Sequence, residues 1–404
     1  MAHDADILIV GGGLNGPALA LALAGEGLSS VVIDAQPAAA RAAADFDGRA
    51  YALAIASRRL LAHLGLWERV AAEAQPILEI KVSDGRAGEG PSPFWMHFDH
   101  AEIEEGPMGH MVEDRHLRPA LLSAMEAAPD VTTLSGETVA SQEVGPGGVS
   151  VTLASGRRLT GALLVGADGR SSGVAERAGI GRTAWGYGQT AVVCAVAHER
   201  DHGGIAHQFF MPGGPLAILP LAGRRSSIVW SEREGRAADL LALDDAPFLD
   251  ALRPAFGSFL GEIAPEGARF GYPLGLSLAQ SFAAARVALV GDAAHGVHPI
   301  AGQGLNAGLR DVAALAEVLG AARARGEDVG AEDVLERYAR WRRFDTAALA
   351  MATDGFNRLF SNDNPILRAV RDVGLGVVGG VPWLRRLAIR EAAGLTGELP
   401  RLMR

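Results

Sequence analysis

The sequence predicts an α/β fold: a Rossmann-like domain interrupted by a mainly antiparallel β-sheet domain and followed by a helical C-terminal region. Three observations predict it. Ala5 to Val10 is a short apolar run that enters a glycine-rich turn, then an Ala/Leu stretch of helical character, then a second apolar run ending at Asp34. Strand, tight turn, helix and strand make a βαβ unit with a parallel sheet. Between about 185 and 275 the pattern changes to strand-like pieces, TAVVCAVAH, GIAHQFFMP, PLAILPL and SSIVWS, which read as an inserted antiparallel sheet. The α/β pattern then resumes with RVALVGD and the helix-like GLNAGLRDVAALAEVLGAARA.

The remaining elements follow in order. Residues 50–74 read as helical, with Leu60, Leu61, Leu64 and Leu66 along the apolar side; 76–104 are irregular and β-like; a helix with Leu117, Leu121, Leu122 and Met125 spans 114–128. Alternating strands run up to Asp168, and 331–358 are helical with one charged side. The Rossmann-like domain is expected over 1–75, 105–184 and 276–345, the inserted sheet over 76–104 and 185–275, and the helical region over 346–404.

Composition narrows the function. The 404 residues are 49% hydrophobic and 21% charged, enough for a sizeable core. A net charge of −10 argues against a general nucleic-acid binder, which needs a basic face. Cys194 is the single cysteine, so no internal disulfide or Cys-built metal centre forms, in keeping with a reducing compartment. Lys81 is the one lysine, and no GxxxxGK loop occurs. The acidic N-terminus does not read as a signal peptide, and the apolar runs fall short of the roughly 20 residues that span a bilayer. A cytoplasmic protein is expected, with peripheral contact at the inner face of the membrane as an option.

Three motifs carry chemistry. Gly11, Gly13 and Gly16 in GGGLNG match GxGxxG between a strand and a helix, the context in which the first glycine permits the turn, the second admits a pyrophosphate and the third lets helix and strand pack. Asp34, at the end of the next strand, is placed to accept ribose hydroxyls and to repel a 2′-phosphate, which favours FAD or NAD over NADP. Val165 to Ser171 repeats the strand-to-acid-to-glycine form with Asp168 and Gly169. Near the other end, Gly291-Asp292 follows a buried strand and leads to Pro299, Gly302, Gln303, Gly304 and Asn306. That segment reads either as an ordinary capped strand-to-helix turn or as a carboxylate on a ribityl chain with bare amides beside a ring. A helix starting near Gln303 would favour the negative charge of a reduced flavin.

In this order the motifs resemble the flavoprotein aromatic hydroxylases of the p-hydroxybenzoate hydroxylase type. Residues 47–67, 214–221, 291–312 and above all TDGFNRLFSN (353–362) resemble the ubiquinone-biosynthesis hydroxylase branch. The resemblance runs from Asp6 to about Gly397, with one departure, Ala307 where Leu is commoner. It implies that the loop of Gly11, Gly13 and Gly16 and Asp34 hold the ADP half of FAD. Arg49 and Arg115 approach the pyrophosphate, Asp292 holds the ribityl chain, and Asp168 with Gly169 serves the flavin and the nicotinamide donor. Gly302, Gly304 and Asn306 complete the cofactor set, and the chain at His298, Pro299 and Gln303 passes the reacting ring. His298 could instead simply bond a carbonyl. The implied reaction is hydroxylation of a polyprenylated phenol in ubiquinone biosynthesis through a flavin C4a-hydroperoxide, with O2 and NAD(P)H or another reductant. Two alternatives stay open: hydroxylation of a small soluble aromatic, and a flavin-binding assembly member of a quinone-biosynthesis complex.

Other features are weighed against plain structural readings. His198-Glu199-Arg-Asp-His202 fits HExxH, yet it follows a β-like run and precedes two glycines, so no zinc helix is expected and no metal is assigned. Gly169 to Gly173 fits GxSxG, but Asp292 and His295 share one turn, unlike a hydrolase. Gly374 to Gly379 is a second GxGxxG without a strand before it. Tyr187, Phe209, Phe210, Trp230 and Phe356 line a pocket or belong to the core. The tail from 363 holds seven Arg against four acids, which suits an anionic membrane, a partner, or a solvated face.

Overall fold

A computed structural model describes residues 3–41, 48–86, 90–296, 303–360 and 381–404. Its first layer is a six-stranded sheet in the order 283–284, 287–289, 163–166, 7–10, 30–34, 131–135. All pairs are parallel except the short edge pair 283–284 with 287–289. Ile7, Leu8 and Ile9 are fully buried because both faces of the central strand are covered. Each such side chain contributes about 1.5–3 kcal/mol by leaving water. The helix Asn15–Gly25 is apolar nearly all round and buries Ala18, Leu19, Ala20, Ala22 and Leu23, in contact with the long helix Gln303–Ala324.

The second large unit is an eight-stranded sheet, in the order 295–296, 263–279, 182–198, 225–233, 214–221, 205–211, 79–86, 90–99. It is antiparallel throughout, apart from the parallel pair 205–211 with 79–86. One face packs Val192, Cys194, Val196, Leu216, Ile218, Ile228 and Trp230 against the helices Glu234–Ala242 and Asp245–Phe256. The opposite face packs Ala195, Phe210, Leu219 and Leu221 toward Ala50, Ala52 and Met111 of a small sheet formed by 50–54, 109–113 and 75–77. The helix Pro382–Ala392 closes this second core through Ile389 and Ala388. The α/β class with an antiparallel insert and a helical C-terminal region is borne out.

Several elements differ from the sequence pattern. The stretch read as a helix from residue 50 begins as the strand Ala50–Ala54, drawn out by pairing with Gly109–Glu113, and becomes helical only at Ile55. The insert contains two helices and the 17-residue strand Ile263–Ala279, which its glycines and exposed aromatics concealed.

Candidate active site

The glycine turn sits at the C-terminal end of the central strand, where open α/β sheets hold ligands. Gly11 has φ +113°, and a Cβ on it would collide with the Ala167 carbonyl; a Cβ on Gly16 would collide with the Gly11 carbonyl. Backbone packing therefore demands those two glycines. Gly13 differs, since a Cβ there would meet nothing within 4 Å, and the same holds for Gly304 in the first turn of the long helix. Among the described residues, these two glycines border open space. Asp34 accepts from Gly12 N at 2.5 Å and Gln36 N at 2.8 Å, which fixes its carboxylate beside the turn. Turn, acid and open glycines fit the ADP half of FAD.

The Gly291–Ala293 turn lies at the same sheet end and is held by side chains. Arg170 reaches Asp292 Oδ2 at 3.3 Å and the Pro273 carbonyl at 3.3 Å. Arg182 donates to the carbonyls of Asp292, at 3.1 Å, and Ala293, and to Ser277 Oγ at 3.0 Å. Asn15 fills the space left by the missing side chains of Gly291 and Gly308. Behind the turn, fully buried Asp311 accepts from Gly291 N at 2.9 Å, from His295 Nε2 at 2.6 Å and from Arg342 Nε at 2.7 Å. Burial pushes the Asp311 carboxyl up, but the pull and hydrogen bonds of His295 and Arg342 outweigh it and hold the group below the usual carboxylate range. The Asp292 carboxylate stays partly exposed.

Arg49 and Arg115 come together at the start of the helix Asp114–Ala127. Arg49 lies 3.4 Å from Asp114, which also takes a bidentate pair from Arg118 and the Tyr51 hydroxyl at 2.8 Å. Arg115 meets buried Glu113 at 2.8 Å, and Glu113 also accepts Arg225 of the eight-stranded sheet at 2.7 Å. Glu266 takes the Nε of the same arginine at 2.8 Å. One acidic corner thus joins Arg49 and Arg115 to Arg225 of the antiparallel sheet.

The other sequence-derived residues are placed as follows. Gln303 opens the long helix, as its spacing suggested. Asn306 works on the protein: its oxygen accepts from Ala54 N and Ser57 Oγ, and its nitrogen donates to the Ala52 carbonyl, stitching residues 52–57 to the long helix. Asp168 likewise accepts from Ser172 Oγ and Val174 N, fixing the start of the short helix Gly173–Arg177, while Gly169 takes φ +81°. His298, Pro299 and Gly302 lie outside the described residues, as do the second GxGxxG and the side chain of Phe356. Phe210 faces the small sheet, whereas Trp230 and Phe209 pack on the helix side. His198 ends a strand and bonds Arg200 O and Ser226 Oγ, and His202 bonds Leu221 O, so HExxH forms no metal site. His295 pairs with Asp311, not with Asp292, and is fully buried, which dismantles the hydrolase arrangement. Sequence reasoning did not single out Asn15, Arg182, Asp311 or Arg342. The one local signal was the pair of glycines, Gly291 and Gly308, that makes room for Asn15.

The p-nitrophenol 4-monooxygenase PnpA of Pseudomonas putida superposes with a TM-score of 0.80 over 97% of this chain and 98% of its own, at 20% identity, a likeness of fold. Residues 4–353 match the family described as FAD binding domain. The class is therefore that of FAD-binding flavoproteins. Ubiquinone hydroxylase UbiL of Rhodospirillum rubrum is 49% identical over 99% of this chain and 92% of its own length. The 3-demethoxyubiquinol 3-hydroxylase of Escherichia coli is 37% identical over 96% and 98%. The chain belongs to the FAD-dependent ubiquinone-hydroxylase family.

Proposed function

We propose that this protein hydroxylates the aromatic ring of a polyprenylated phenol on the route to ubiquinone, with NAD(P)H as reductant. The observation that carries the reading is the chemistry of one sheet face. Antiparallel partners share a face and alternate along each strand. Ala195 faces the small sheet, so its register partners Ser227 and Leu219 do too, with Val193, Val229 and Ala217, and Ala191 and Ser231, in the next rows. These side chains are small or apolar. Arg225, at the end of the rows, is matched by the carboxylates of Glu113 and Glu266. Such a floor suits an uncharged ring with a hydrocarbon tail.

In this reading the turn of Gly11, Gly13 and Gly16 with Asp34 holds the ADP half of FAD. Arg49 and Arg115 stand near the pyrophosphate and Asp292 takes the ribityl hydroxyls. Asp168, Gly169 and Asn306 brace the surrounding backbone. Gln303 and Gly304, in the first turn of the long helix, face the ring, and the resemblance assigns His298, Pro299 and Gly302 to the same site. Bound FAD supplies the oxygen activation; the chain orients both rings and keeps water out. A polyprenyl tail partitions into lipid, so the reading includes peripheral contact with the inner face of a membrane and membership of a quinone-biosynthesis complex. The test is purified holoprotein with NAD(P)H, O2 and either a polyprenylated phenol or 4-hydroxybenzoate. Only the first should gain an oxygen atom and stimulate NAD(P)H oxidation. Hydroxylation of the small acid alone would overturn the proposal.

A further inference from the structure

We infer that the outward stripe of the helix Pro382–Ala392 is the surface by which this protein seats on an anionic lipid bilayer. Trp383, Arg386, Leu387 and Arg390 follow the i, i+3, i+4, i+7 spacing that puts four residues on one side of a helix, and all four are exposed. The two apolar members are large and strongly exposed, Trp383 at 66% and Leu387 at 53%. Arg386 and Arg390 have no carboxylate partner among the described residues, whereas Arg385, one step round the helix, is paired with Glu102 at 2.8 Å. An aromatic and an aliphatic side chain interleaved with unmatched guanidinium groups is the pattern of a helix lying in a headgroup layer. The rings enter the acyl boundary, and the arginine stems lie along it with their charges at the phosphates.

Charge selects the occupant. The protein carries −10 overall, which opposes approach to an anionic surface, yet this stripe is locally cationic. Trp95, 48% exposed, and Arg386 line one open groove of about 680 Å³. Asp99 and Glu104 also line that groove and confine an anionic contact to the helix. No described helix is long and apolar enough to cross a membrane, so the contact is peripheral.

The inner side of the same helix gives the contact its purpose. Ile389 is fully buried and, with Ala388, packs into the core that holds Phe210, Leu219 and Leu221 beneath the apolar sheet face. One helix therefore has its outer side in lipid and its inner side on the floor of the proposed substrate cleft. That link rests on the lipophilic substrate proposed above; the surface itself rests on the helix.

The test uses the full-length holoprotein in flotation with vesicles of 3:1 phosphatidylcholine and phosphatidylglycerol, against phosphatidylcholine alone. Binding is expected to the anionic vesicles and to weaken with salt. R386Q/R390Q should bind about thirtyfold more weakly, from about one unit of surface attraction lost per arginine. W383S/L387S should bind more than tenfold more weakly, and both variants should keep the FAD content and melting temperature of the parent. Absence of flotation, or flotation indifferent to both pairs, would overturn the inference. So would a concentration-dependent dimer, seen by light scattering, that W383S/L387S dissolves, because the stripe would then be a contact between two copies. Hydroxylation of detergent-dispersed substrate is measured separately: vesicle binding without turnover sinks the substrate reading alone, and turnover without vesicle binding sinks this one alone.

Discussion

The turns Gly11–Gly16 and Gly291–Ala293 sit at the same end of one parallel sheet and are held in opposite ways. The first is set by backbone, because Gly11 lies against the carbonyl of Ala167, just past the end of the neighbouring strand, and Gly16 against the carbonyl of Gly11, and neither leaves room for a Cβ. The second is set by side chains from four distant segments, Asn15, Arg170, Arg182 and Asp311. A backbone-built turn is intolerant at a few atoms and indifferent elsewhere. A clamped turn spreads its support and fails by degrees, except where the clamp is a buried charge.

The largest effect is expected at that exception. Asp311→Ala leaves the buried Arg342 guanidinium without its principal counter-charge, and removing one partner of a buried pair costs about 3–5 kcal/mol. Urea unfolding of the variant should show that loss; a change below about 1 kcal/mol would mean that Asp345, 2.9 Å from Arg342, carries the pair unaided. Gly16→Ala comes next, since a Cβ must push against the Gly11 carbonyl, at a cost of about 3 kcal/mol by overpacking. Gly13→Val sharpens the contrast between the two kinds of glycine. Its unfolding free energy should stay within about 1 kcal/mol of the parent, while FAD affinity falls by roughly two orders of magnitude, because only the space proposed for the pyrophosphate is filled. Normal flavin retention in a folded Gly13→Val protein would remove the pyrophosphate from that space.

Smaller effects test the periphery. Burial, with Arg58 beside it, pushes His110 down to about 4, and burial, with Lys81 beside it, does the same for His207. Both are neutral in the folded protein above that value, while the unfolded chain takes up protons near 6.5. Stability should therefore decline as pH falls from about 6.5 toward 4 and level off below. In urea titrations across that window His207→Gln should show a shallower decline than the parent; an identical slope would shift the cause to other groups. Arg170→Gln, at an exposed pair 3.3 Å from Asp292, should change stability by less than about 1 kcal/mol and weaken FAD binding only a few-fold.

The two turns also differ in how legible they were. Gly11, Gly13, Gly16 and Asp34 announce a βαβ turn because every part falls within one local unit, and Gly291-Asp292 and the helix start at Gln303 share that locality. Most of the clamp was invisible because Asn15, Arg170 and Arg182 come from segments far from residue 291, and nothing local distinguishes Arg182 or Arg342 from the many other arginines. Locality also explains the misreadings. Ala50–Ala54 is rich in helix formers, and pairing with Gly109–Glu113 overrides that preference. Asp168 and Asn306 stand out in the sequence as cofactor-binding candidates, and their side chains also brace the protein's own backbone and hydroxyls.

The order of strands in the parallel sheet has a consequence for how the protein is made. Residues 7–10, 30–34, 131–135 and 163–166 can pair as soon as they leave the ribosome, but their neighbour 287–289 follows only after the whole of the eight-stranded sheet's central portion has been translated. Asn15 then waits for Gly291 and Gly308, and residues 52–57 wait for Asn306. At about 5–20 residues per second the nascent chain spends tens of seconds with a finished glycine turn and no opposing wall. A chain arrested within the insert therefore carries the glycine turn without the 291–293 turn and leaves the edge of 163–166 unpaired.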